Sequence, residues 1–360
     1  MAHGRASVVD VHFCGEAQEQ LPKARSVGHD RRSQAAAGRA VPPLEPIRLF
    51  LIMCTPSGVQ ERVMSSASLS DMPLLAGVSH ELVEVRGIQI HVAQAGSGPP
   101  LLLLHGWPEH WYMWRELIGP LAERYRVICP DMRGFGWSDA PATGYAKEDL
   151  ASDVLALMDA MSLQRVGLMG HDWGGFIGFL LCLRAPERFD RYLALNIAHP
   201  FQQAGTRLLH AWRMLYQVLI ATPWLGAAVL HDRTGFVRRI LRGSMPAKRV
   251  SWDECGVYAT RFNDPARAYA STLLYRTFLW GELGPLLRGR YRGQRLKVKT
   301  LLLFGEQDVA IRPSMVRDLP SHGDDAQVVF LPQAGHFIVE DCPDVVLQHA
   351  LAFFADYVSE

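Results

Sequence analysis

Two alternating runs open the patterned part of this chain, His80-Glu-Leu-Val-Glu-Val-Arg86 and Ile88-Gln-Ile-His-Val-Ala-Gln94. Apolar and polar positions trade places every second residue around Gly87, which predicts a β-hairpin with one buried face. Two short apolar strands follow, Pro100-Leu-Leu-Leu-Leu-His105 and Arg126-Val-Ile-Cys-Pro130. Strands apolar on both faces belong inside a parallel sheet covered by helices. Helical spacing marks residues 111–124 between them and Ala146–Met161 after them. Further strands are expected at Arg165–Met169, Tyr192–Ile197, Thr300–Phe304 and Gln327–Leu331, and a last helix from about Asp344 to Val358. Strand and helix in alternation predict an α/β fold, a doubly wound, mostly parallel sheet with right-handed crossovers.

Residues 199–297 break the alternation. They are rich in Leu, Trp, Tyr and Arg, keep a helical period, and are too long for a loop. The expectation is a helical lid inserted between core strands, with the ligand pocket between lid and core. The core is then 78–198 together with 298–360, and the cap is 199–297. Residues 1–64 differ in kind, mixing Arg, Gln, Ala, Gly and Pro without a sustained period. We read them as a disordered leader, or as sequence upstream of a start at Met64 or Met72. Asp10, Glu16 and Glu19 argue against a targeting peptide. No internal repeat is found.

A formal net charge of +1 over 360 residues gives no reason to expect nucleic acid or an anionic membrane as partner. The six cysteines, at 14, 54, 129, 182, 255 and 342, form no close pairs and have no His partners at zinc spacing. They read as thiols in a reducing cytoplasm rather than a disulfide or metal framework. The apolar run Leu49–Cys54 is far too short for a membrane span. No cofactor is expected: Gly134-Phe-Gly136 lacks the third glycine and the context of a dinucleotide fingerprint.

The chemistry begins at Gly170-His-Asp-Trp-Gly-Gly175, directly after an apolar strand. A small residue, then a central residue flanked by any two, then glycine makes a sharp strand-to-helix turn that exposes the central side chain. That residue is Asp172. A serine attacking an alkyl carbon would leave an ether, which is hard to hydrolyse. A carboxylate leaves an ester, which activated water can open, so Asp172 points to displacement at carbon. Such a nucleophile needs a base and an orienter for the base. His336, in Gln333-Ala-Gly-His-Phe337, and Asp308, in Phe304-Gly-Glu-Gln-Asp-Val309, both follow predicted strands. The order nucleophile, acid, histidine suits a sheet of this kind. The oxyanion of ester hydrolysis would take N–H groups from Trp173 and from Trp107, the latter in His105-Gly-Trp-Pro108. Pro108 is expected to turn the Trp107 N–H inward through a cis bond, and His105 to brace the loop. Asn196 marks an alternative acid position, but an amide cannot supply charge to an imidazolium.

His105-Gly-Trp-Pro, Glu109-His-Trp-Tyr-Met-Trp-Arg115, Asp131-Met-Arg-Gly-Phe-Gly-Trp-Ser-Asp139 and Gly170–Gly175 together resemble the α/β-hydrolase-fold epoxide hydrolases, in the branch shared with haloalkane dehalogenases. The resemblance runs from about residue 80 to the C-terminus. It implies two lid tyrosines that hold the epoxide oxygen and donate a proton, one before Gln and one before Arg. Leu215-Tyr216-Gln217 and Leu274-Tyr275-Arg276 match, so the roles fall on Tyr216 and Tyr275, with Tyr258 and Tyr269 as rivals. It also implies, for dehalogenases, an Asn or additional Trp that binds halide; that Asn commonly occupies the position of Trp107, and Trp173 is shared by both branches. His105, Pro108, Trp111 and Phe337 are expected around the substrate pocket. Arg238, Arg239 and Arg242 read as a solvated face. The resulting expectation is a cytoplasmic, cofactor-free epoxide hydrolase with a detoxification role, acting on a small-molecule epoxide and water, with a homodimer allowed. The alternatives are a haloalkane dehalogenase with the same nucleophile and a non-catalytic ligand-binding protein on this scaffold.

Overall fold

The strands are β1 (Ser79–Val85), β2 (Ile88–Ala95), β3 (Pro100–Leu104), β4 (Arg126–Pro130), β5 (Val166–His171), β6 (Phe189–Leu195), β7 (Lys299–Gly305) and β8 (Ala326–Leu331). The computed structural model describes residues 71–201 and 215–357, and the expected leader at 1–64 lies outside them. One eight-stranded sheet runs β1-β2-β4-β3-β5-β6-β7-β8. β1 and β2 are antiparallel and turn through Arg86 and Gly87, at φ 50° and 78°. Two successive positive φ values are what a two-residue hairpin needs to match the twist of its strands. β2 also meets β4 antiparallel, and every later pair is parallel. Leu101 to Leu104 of β3 are wholly buried, each side chain contributing about 2 kcal/mol relative to exposure.

The order in which strands are added reverses at β3, with β4 on one side of it and β5 on the other. Loops leaving the carboxyl ends of such strands part and open a crevice. The helices that cover the sheet are α1 (Arg115–Ala122), α2 (Lys147–Ala160) and α3 (Asp172–Arg184). The helix expected at 111–124 begins differently, as a 3-10 turn over Trp111–Trp114 that runs into α1. Asp131 takes the Trp111 N–H at 2.8 Å, and His110 caps the Tyr112 N–H.

Between β6 and β7 the described residues carry helices only: α4 (Leu215–Ala221), α5 (Leu225–Leu230), α6 (Phe236–Gly243), α7 (Gly256–Ala259), α8 (Pro265–Arg276), a π-helical turn at Thr277–Glu282, and α9 (Leu283–Leu287). Pro265 opens α8 where its missing N–H is no loss, and Asp264 caps the Ala266 N–H at 2.9 Å. This insertion is tied to the loops of the crevice. Trp107 Nε1 donates to Ser271 Oγ at 3.2 Å, and Arg267 Nε to the Gly136 carbonyl at 2.6 Å. After β8 come α10 (Ile338–Asp341) and α11 (Pro343–Phe353). Among the described residues no helix is long and apolar enough to cross a membrane.

Candidate active site

Asp172 is the first residue of α3, directly after β5, and stands at φ 46°. That left-handed backbone costs an L residue about 1–2 kcal/mol, and it throws the carboxylate clear of the helix. Close neighbours must be small for this to happen. A Cβ on Gly106 would strike the Asp172 side chain, and one on Gly174 would strike the carbonyls of Leu104 and His105. The Trp107–Pro108 bond is cis, and the Trp107 N–H donates to Asp172 Oδ2 at 3.0 Å. The Trp173 amide lies in the first turn of α3, where no intrahelical acceptor exists.

Three further strand ends converge on this carboxylate. His336, past β8, places Nε2 3.6 Å from Asp172 Oδ1 and donates through Nδ1 to Asp308 Oδ2 at 2.8 Å. Asp308, past β7, also accepts from the Ala310 and Ile311 amides at 2.7 and 2.9 Å and from Asn196 Nδ2 at 2.9 Å. Asn196, at the end of β6 with φ 41°, accepts the Gly305 N–H on its other face at 2.9 Å. The amide is therefore a clamp on the acid, not a substitute for it. Burial by itself would lower the His336 pKa, but Asp308 and Asp172 outweigh it and hold it well above the ordinary imidazole value. Burial would likewise raise Asp172; its pairing with His336, aided by the Trp107 N–H, holds it below the usual carboxylate range.

A cavity of about 430 Å³ opens over Asp172. Trp173, Tyr216 and His336 share its polar end; Phe176, Phe278, Leu279, Leu283, Ile311 and Met315 form much of the rest. Tyr275 is buried directly behind, its ring 6.0 Å from that of Tyr216, 5.4 Å from Trp107 and 5.9 Å from Trp173. Burial raises the pKa of both phenols, and the nearby Asp172 charge raises them further. At neutral pH both hydroxyls are protonated donors. Of the rivals, Tyr258 hydrogen-bonds Glu340 and Tyr269 is exposed; neither reaches the cavity.

Four of the residues expected around the pocket, His105, Pro108, Trp111 and Phe337, are placed outside the lining of this cavity, as is Tyr275. His105 is wholly buried, donating from Nδ1 to the Gly106 carbonyl and accepting the Met132 N–H on Nε2, both at 2.9 Å. Pro108 is buried in a turn closed by the Glu109 N–H on the Gly106 carbonyl. Trp111 packs against His80, and Phe337 against His171 and His336. For Trp111 the cause is Asp131, whose bonds to the Trp111 and Trp137 amides and to His91 draw that part of the loop after β3 towards the sheet. Among the solvated-face residues, Arg238 is drawn into a two-point pair with Asp232 at 2.6 and 2.8 Å.

Two buried charged groups beside the site went unread in the sequence. Glu109 Oε2 stands 3.2 Å from His171 Nδ1, while His171 Nε2 donates to the His336 carbonyl at 2.9 Å. Burial pushes the Glu109 carboxyl up, opposed by His171. Lys147 donates to the Leu274 carbonyl at 2.8 Å, pairs with Glu282 at 3.0 Å and lies 4.7 Å from the Trp173 ring centre. Burial lowers its pKa to about 8 against the pull of Glu282. A glutamate set among Trp and Pro, and a lysine opening a helix that follows an apolar tyrosine, were the only available signals.

Residues 99–343 match the family model described as alpha/beta hydrolase fold. The soluble epoxide hydrolase of Corynebacterium sp. (strain C12) is 29% identical over 77% of this chain and 98% of its own length. Haloalkane dehalogenase 2 of Mycobacterium bovis is 31% identical over 71% of this chain and 88% of its own. The crystal structure of epoxide hydrolase VrEH1 from Vigna radiata superposes with a TM-score of 0.69 at 26% identity, covering 79% of this chain and 100% of that one.

Proposed function

This chain belongs to the α/β-hydrolase-fold family, in the branch of epoxide hydrolases and haloalkane dehalogenases, and on that premise we propose that it opens epoxides to vicinal diols. The observation that carries the reading is a carboxylate, Asp172, sharing one cavity wall with the protonated phenol of Tyr216, against which Tyr275 stacks edge to face. An alkoxide is a poor leaving group at neutral pH and needs a proton donor, whereas a halide does not.

In this reading residues 199–297 cap a core of 78–198 and 298–360. Tyr216 and Tyr275 hold the epoxide oxygen. Asp172 Oδ1 attacks a ring carbon, the C–O bond breaks, and the oxygen takes a phenolic proton. The product is an alkyl ester on Asp172. Its formation removes one of the two carboxylate charges that hold the His336 pKa up, so the imidazolium passes its proton to the tyrosinate left by ring opening and is free to act as base. His336, oriented by Asp308, then deprotonates water, which adds to the ester carbonyl. The oxyanion develops on Oδ2, the atom already 3.0 Å from the Trp107 amide, with the Trp173 amide as second donor. Collapse breaks the Cγ–Oδ1 bond, the departing alkoxide takes the proton that His336 gained from water and becomes the diol, and the carboxylic acid left at Asp172 returns its proton to His336.

Among the described residues Trp173 is the one indole lining the cavity, and the Trp107 indole N–H is held by Ser271; this weighs against a two-donor halide site. The free thiols of Cys129, Cys182, Cys255 and Cys342 fit a cytoplasmic setting. Incubation with styrene oxide and with a bromoalkane, measuring diol and bromide in parallel, tests the reading. Diol from the epoxide is the expected result; bromide release without diol would overturn it in favour of dehalogenation, and neither product would favour a binding protein.

A further inference from the structure

Away from Asp172 and His336, three side chains converge that the reaction above does not use: His199, Asp318 and His322. His199 follows Ala198, which lines the cavity, where the chain leaves β6. Asp318 and His322 bracket the 3-10 turn in the connection from β7 to β8. His199 Nε2 lies 2.9 Å from Asp318 Oδ1, and His322 Nε2 lies 3.3 Å from Asp318 Oδ2. One ligand atom from each residue falls within 4.8 Å of those of the other two. The rings are held in place by Phe201, stacked on His322 at 4.7 Å and packed on His199 at 5.8 Å. The His199 side chain is wholly buried, whereas those of His322 and Asp318 are 28% and 51% exposed, so the trio has one open side.

We propose that His199, Asp318 and His322 form a binding site for a divalent transition ion of the zinc class, tying the start of the 199–297 insertion to the β7–β8 connection. A tetrahedral ion with bonds of about 2.1 Å holds its ligand atoms roughly 3.4 Å apart; here one imidazole nitrogen meets Oδ1 at 2.9 Å and the other meets Oδ2 at 3.3 Å, and with one ligand atom from each residue already within 4.8 Å of the other two, small side-chain rotations close the set around an ion. Two imidazoles and one carboxylate suit Zn²⁺, Co²⁺ or Ni²⁺, whereas Ca²⁺ and Mg²⁺ take oxygen ligands. The neighbouring Arg317 is turned away onto the Phe330 ring at 4.9 Å, so Arg317 does not add its charge to the trio. Water completes the coordination from the open side. The ion acts as a tether, and this inference is independent of the catalytic reading.

The experiment strips the full-length chain of metal and titrates it with Zn²⁺ by calorimetry and with Co²⁺ by visible absorption, beside His322→Gln and Asp318→Asn. Both substitutions fall on partly exposed side chains. One ion per chain is expected, with tetrahedral cobalt bands, no thiolate charge-transfer bands, and binding weakened more than about 100-fold in each variant. Zn²⁺ should raise the thermal midpoint of the parent and not of the variants. His12 and Cys14 in the leader are a competing chelator. Unchanged binding in both variants, thiolate bands, or no binding by the parent each overturns the proposal and leaves the trio a hydrogen-bonded clasp.

Discussion

His336 Nε2 lies 3.6 Å from Asp172 Oδ1, while its other ring nitrogen is bonded to Asp308. One imidazole thus answers to two carboxylates, and the proposed reaction neutralises only one of them. The distance is too long for a firm hydrogen bond, so the imidazole is held by Asp308 and only attracted by Asp172. The electrostatic order of events follows from this spacing.

Replacing His336 by Gln should stop the second step and leave the first. One equivalent of epoxide is consumed, an adduct of substrate mass stays on the peptide holding Asp172, and turnover falls about 100- to 10,000-fold. Asp172→Asn should form no adduct. Intact-mass measurement after rapid quenching checks both, and parent-rate turnover by the His336 variant would sink the two-step scheme.

The Asp172→Asn variant should also bring the His336 pKa down towards its ordinary value of 6.5, because one of the two charges that raise it is gone. Titration of the imidazole resonances by NMR reads this directly. An unshifted curve would mean that Asp308 alone holds the proton.

Tyr275→Phe and Tyr216→Phe should each slow epoxide opening by about 100-fold or more, the range for loss of a positioned proton donor. Because burial and Asp172 hold both phenols above the ordinary tyrosine value, the parent should keep its acid function throughout the neutral range. Full activity in the double variant would remove the tyrosines from the mechanism.

Asn196→Ala removes two hydrogen bonds and places alanine at φ 41°. Both stability and turnover should fall. Asn196→Gly tolerates that backbone and should recover part of the stability, by about 1 kcal/mol, without recovering turnover. If glycine restores both, Asn196 acts through the backbone and not through Asp308.

His110 predicts acid sensitivity. Its Nε2 donates to the Val257 carbonyl and its Nδ1 accepts the Tyr112 N–H, which requires a neutral ring. Burial lowers its pKa to about 4, against the weaker upward pull of Asp131. A folded value below the unfolded one means stability that is complete above pH 6.5 and lost as pH falls towards 4, up to about 3 kcal/mol. Urea midpoints at neutral and acid pH should converge for His110→Asn relative to the parent; an equal acid loss in both proteins counts against this group.

The proposed nucleophile was readable because the turn that presents it is local. Gly170, Gly174 and Asp172 lie within five residues, and a tight turn between apolar strand and helix has few solutions. The strand pattern was readable for the same reason, since Leu101–Leu104 state their burial in their own composition. The tyrosines were reached only through resemblance. Trp111, apolar and close in sequence to the site, lies away from the cavity because Asp131, just past β4, takes its amide and turns that part of the loop after β3 towards the sheet.

By itself, then, the sequence determined a carboxylate at the elbow, Asp172, an aspartate and a histidine following it in order, and the parallel sheet that lines up their strand ends. Tertiary structure decided the rest. It set Oδ2 on the Trp107 amide, clamped Asp308 with Asn196, and put Glu109 behind His336. It also shaped the cavity that Tyr216 shares with Asp172 and gathered His199 with Asp318 and His322. The physical reason is range. Backbone turns and burial patterns are dictated by neighbours along the chain, whereas cavities and charge networks arise from residues that meet only once the sheet has closed.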